Sequence, residues 1–74
     1  MIPDKSNPKW KQLVTGALPH QFKVVPAGML ISRLLRESQK DRSTANIERC
    51  VKEAHEFFIK YESLLGNDIK AIFG

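Results

Sequence analysis

The sequence predicts an all-α domain. Apolar residues recur at three- and four-residue spacing in three successive stretches, and residues suited to helix caps stand before or between those stretches. The one piece that reads as extended has no second strand to pair with.

The first helix is predicted over residues 8–18. Residues 1–7 form an irregular arm, and Asn7-Pro8 supplies an N-cap followed by proline at the first helical position. Trp10, Leu13, Val14, Ala17 and Leu18 then follow at i, i+3, i+4, i+7 and i+8, the spacing of one buried face. Gly16 weakens this helix, and Pro19 is expected to end it one residue earlier. Residues 19–26 read as a connector, extended or helical, that tucks Phe22 and one of Val24 and Val25 into the core.

The second helix is predicted over 26–40, with Ala27, Leu30, Ile31, Leu34 and Leu35 on an arc of about 140°. Met29, Arg33, Arg36 and Lys40 fall on its other side. Ser43 or Thr44 caps a third helix over 44–65, whose stripe runs Ile47, Cys50, Val51, Ala54, Phe57, Phe58, Tyr61, Leu64 and Leu65. Glu48–Lys52 and Glu56–Lys60 on its charged face stand in the favourable acid-first order. Gly66-Asn67 is expected to stop this helix in a left-handed conformation, leaving residues 66–74 as a tail in which Asp68 caps a short helical turn bearing Ile69, Ile72 and Phe73. At 1.5 Å per residue the helices measure ~17, ~20 and ~33 Å. The first two can lie end to end along the third, or the third can pair with its own copy.

All 74 residues thus read as a single domain, with Cys50 as its only cysteine, so no internal disulfide staples a core of marginal size. No clean apolar run, Met29-Leu30-Ile31 included, exceeds three residues, far short of the ~20 of a membrane span. The amino terminus lacks the layout of a secretion signal, so a cytoplasmic location with no membrane contact is expected. Residues 1–40 carry seven Lys/Arg against two acids and residues 41–74 five against six, dividing the net charge of +4 as +5 and −1.

The residues that carry chemistry are sparse. Cys50 and His55 lie five apart and point about 140° away from each other, so one ion cannot bridge them, and no metal is expected. Cys50 sits in mid-stripe, where burial hides a thiol rather than activating it. His20 in the connector is the freer histidine and alone makes no site. The four glycines are isolated, so no phosphate-cradling loop can be written. No catalytic residue and no cofactor are expected.

Two surface features remain. Arg33, Arg36 and Lys40 share one face at i, i+3 and i+7 and are candidate contacts to phosphate or an acidic partner. Ile59, outside the main stripe, and the closing triplet Ile69, Ile72 and Phe73 are candidate apolar partner contacts. The expected function is therefore a small helical protein–protein interaction protein, an accessory or regulatory subunit meeting a protein partner or its own copy. The alternative is a small basic nucleic-acid-binding regulator. It is weakened by the third helix, which exposes as many acids as bases.

Overall fold

A computed structural model describes residues 2–74. It contains four helices, α1 (Pro8–Thr15), α2 (Val25–Lys40), α3 (Thr44–Lys60) and α4 (Gly66–Phe73), and no strand among the described residues. The first three pack pairwise on one another, and the molecule measures 31 × 23 × 20 Å.

Asn7 caps α1 as its sequence suggests, the side-chain oxygen accepting the Lys9 N–H at 2.9 Å. The helix ends at Thr15, however, and not near Pro19. Gly16 takes φ +85°, and Leu18 N–H closes the turn on Gln12 O at 3.0 Å. Only glycine suits this position, because an added Cβ would also meet Leu35 Cδ1 at 3.0 Å. Gly16 therefore terminates the helix and does not merely weaken it.

The connector is neither strand nor helix, and it half-buries Phe22 and Val24 against the core. α2 begins at Val25, one residue before Pro26, with Val24 O accepting from Ala27 and Gly28 at 3.2 Å. Its buried face is Ala27, Ile31, Leu34 and Ser38, while Leu30 and Leu35 stay half-buried. The hydroxyl of Ser38 is accommodated by donating to Val14 O of α1 at 2.9 Å, so a polar group in the apolar layer is satisfied.

Ser43 caps α3 by accepting the Asn46 N–H at 3.3 Å. The helix buries Cys50, Val51, Ala54 and Phe58 and stops at Lys60, five residues short of the length its stripe predicts. Residues 61–65 turn the chain, leaving Leu64 exposed and Leu65 buried. The tail is a two-turn helix, and Gly66 opens it without a positive φ, so Gly66-Asn67 is not a left-handed stop. A straight α3 would carry Ile69 and Ile72 away from the bundle. Turning back buries them with Trp10 and Phe58, a gain of roughly 1.5–3 kcal/mol per aliphatic side chain.

Trp10 is the hub. Phe58 meets it edge-on at 5.1 Å, His55 edge-on at 5.4 Å and Phe73 at a tilt at 4.6 Å between ring centres.

Candidate functional site

The basic strip of α2 does not present three free cations. Arg33 is held by Glu37 at 2.7 Å and by Glu53 of α3 at 3.0 Å, and Arg49 holds the same two carboxylates at 2.6 and 2.5 Å. This closed ring of two guanidiniums and two carboxylates clamps α2 to α3. The Glu37 carboxyl is held below its ordinary pKa first by the hydrogen bond from Arg49 and then by that from Arg33. Arg36 and Lys40 remain exposed outside the ring. Glu48–Lys52 and Glu56–Lys60 form no ion pair within 4 Å among the described residues, so the α3 face is tied by Arg49–Glu53 instead.

Three of the four candidate apolar contacts serve the protein's own core. Ile69 and Ile72 are only 3% and 4% exposed and Phe73 lies on Trp10, so none of the three forms an open patch. Ile59 is 52% exposed on the outer side of α3. Val25 and Met29 are more exposed still, at 69% each, one helical turn apart on α2 and beside Phe22 and Arg36 in a shallow depression.

The larger concave surface lies elsewhere. The amino-terminal arm and α1 form one side of a groove whose other side is the loop after α2 and the first turns of α3. The arm is positioned by Trp10, whose indole N–H donates to Pro3 O at 3.2 Å, and by Asn7 N–H bonding Asp4 O at 2.9 Å. Half-buried Ile47 and the edge of buried Val51, 8% exposed, floor the groove. Lys5 and Lys11 line the arm side, and Arg42 and Lys52 the α3 side. None of these four has an ion-pair partner among the described residues, and the acids beside them are Asp4 and Glu48.

His20 is not free. Its Nε2 lies 3.0 Å from Asp68 Oδ1, and the same oxygen accepts Lys23 N–H at 3.2 Å. Asp68 is buried and does not cap α4. Burial works to raise its pKa, but the bonds from His20 and from the Lys23 and Val24 N–H groups outweigh that and hold the carboxyl below its ordinary value. The pair spans 48 positions, which hides it from any local pattern. One signal was present: at 100° per residue Asp68 shares a face with Ile72.

Cys50 is buried, and burial pushes its thiol above the ordinary pKa, the reverse of what a nucleophile needs. No group of three or more His, Cys, Asp or Glu residues is placed to hold a metal ion among the described residues. Among the described residues, no helix is long and apolar enough to cross a membrane.

Fold and surface together define a small helical bundle of three packed helices with a docked fourth. Compared with protein-family models, with curated proteins and with solved structures, the chain matches none.

Proposed function

We propose that this chain is a small helical interaction protein, an accessory or regulatory subunit without catalytic activity. It takes an acidic amphipathic segment of a partner protein into the groove between the arm and α3. The observation that carries the reading is the lining of that groove. Among the described residues, Lys5, Lys11, Arg42 and Lys52 stand without ion-pair partners on both sides of an apolar floor of Ile47 and Val51. An amphipathic segment places its apolar side chains on such a floor and its carboxylates against the rim, where complementary charge sets orientation and on-rate.

A nucleic acid matches the cations but not the rest. Among the described residues no aromatic ring lines the groove for bases to stack on, and Asp4 and Glu48 oppose phosphate. The test is fluorescence anisotropy with two probes, a labelled Leu/Glu-patterned helical peptide and a labelled single-stranded oligonucleotide. The peptide is expected to bind the wild type, to weaken with salt, and to be lost in a Lys11→Glu/Arg42→Glu variant but not in Arg36→Glu. Tighter binding of the oligonucleotide would replace this reading with the nucleic-acid one. Equal loss in Arg36→Glu would move the surface to α2.

A further inference from the structure

The geometry points to α4 as an exchangeable helix: by straightening residues 61–65 it leaves its own bundle and docks in the same place on a second copy of the chain. The linker, α4 and its docking site share no residue with the groove between the arm and α3.

The linker is close to helical already. Leu65 N–H bonds Tyr61 O at 3.0 Å, the four-residue step of an α-helix, and Ile69 N–H bonds Leu65 O at 2.8 Å. Tyr61 lies at φ −113°, ψ 29° and Leu65 at φ −97°, ψ 10°. Rotations of about 30–70° at these residues reach helical values near −63°, −42°. Residues 61–65, Tyr-Glu-Ser-Leu-Leu, contain neither glycine nor proline, and no positive φ has to be undone. The result is one helix from Thr44 to Phe73, ~45 Å long.

Along that helix Phe58, Tyr61, Leu65, Asp68, Ile69 and Ile72 fall on one face, the stripe that the sequence continues past the observed end of α3. Alone, the straightened chain exposes Leu65, Ile69 and Ile72 and vacates the site where Asp68 meets His20 and Lys23 N–H. A second copy in the same state offers that vacated site. Both chains then regain the contacts that α4 makes in the closed form, so closed monomer and exchanged dimer differ mainly at the linker and by concentration. The second copy is the fitting occupant because this surface is complementary to the chain's own α4, buried acid and imidazole included.

The experiment uses the full chain. Light scattering after refolding at rising concentration is expected to show the mass doubling from 8.4 kDa. Ser63→Pro is expected to hold it at the monomer value, since proline removes an N–H that only the straight helix uses and clashes with the carbonyl four residues back. Mixing supplies the second measurement. A His20→Asp chain and an Asp68→His chain each misplace one charge, but an exchanged heterodimer restores an acid–imidazole pair at both sites. The mixture is expected to give a one-to-one heterodimer more stable than either variant alone. A mass fixed at 8.4 kDa over the whole range would overturn the proposal. So would a dimer that persists in Ser63→Pro, or two folded variants that fail to combine.

Discussion

Replacing Phe58 with alanine should destabilise the domain far more than replacing its neighbour Phe57. Phe58 is completely buried, edge-on to Trp10 at 5.1 Å and to Phe22 at 6.1 Å between ring centres. Removing a buried phenylalanine ring costs ~3–5 kcal/mol, transfer and cavity together. A domain of 74 residues has ~4–11 kcal/mol of stability in all, so the variant keeps a fraction of it or none. At ~4–8 °C per kcal/mol, its melting temperature falls by more than ~10 °C. Phe57 is half-buried and rests on Tyr61 at 4.7 Å, near the turn, so its truncation should cost about 1 kcal/mol. Thermal melts followed by circular dichroism read both. The sequence stripe alone ranks the two rings as equals. A Phe57→Ala loss equal to or larger than that of Phe58→Ala would refute the placement of the core.

Asp68 should shape the acid limb of stability. Its folded pKa is depressed, so its contribution is complete above the ordinary aspartate value of ~3.9 and disappears as pH falls through the lower folded value. Asp68→Asn should therefore lower stability near neutrality and flatten its decline below about pH 4; an unchanged acid limb in urea titrations would contradict this. Gly16→Ala and Gly66→Ala should have opposite signs in chemical denaturation. The first forces a Cβ into positive φ against Leu35 and costs about 1 kcal/mol or more, whereas the second meets open space in a helix and gains about 0.4–1 kcal/mol. Cys50 should react with a thiol probe only after denaturant is added, and rapid native-state labelling would show that α2 and α3 do not seal it.

Helical spacing made the three main helices and most of the core legible, because a 3.6-residue period records which face is buried before any partner is known. Trp10, Leu13, Val14, Ala27, Leu34, Cys50 and Ala54 are buried where that spacing puts them. Helix ends were harder to read. Gly16 and Gly66 are both plausible stops, and only tertiary packing decides that the first takes positive φ while the second opens a helix. The stripe through Leu65 is continuous, and it breaks at Tyr61 because α4 buries more apolar surface by returning to Trp10. The surfaces were least legible. Arg33 looks like a free cation until Glu53, twenty residues away, is seen to take it, and the groove depends on an indole N–H reaching back to Pro3.

Nuclear magnetic resonance of the uniformly 15N-labelled chain, titrated with the Leu/Glu-patterned peptide, locates the bound surface residue by residue. If the partner segment lies in the groove, saturable amide shifts are concentrated at Lys5, Lys11, Arg42, Ile47, Val51 and Lys52, with Val25, Met29 and Arg36 unmoved. Shifts centred on Val25, Met29 and Arg36, or none at any peptide concentration, would contradict that placement.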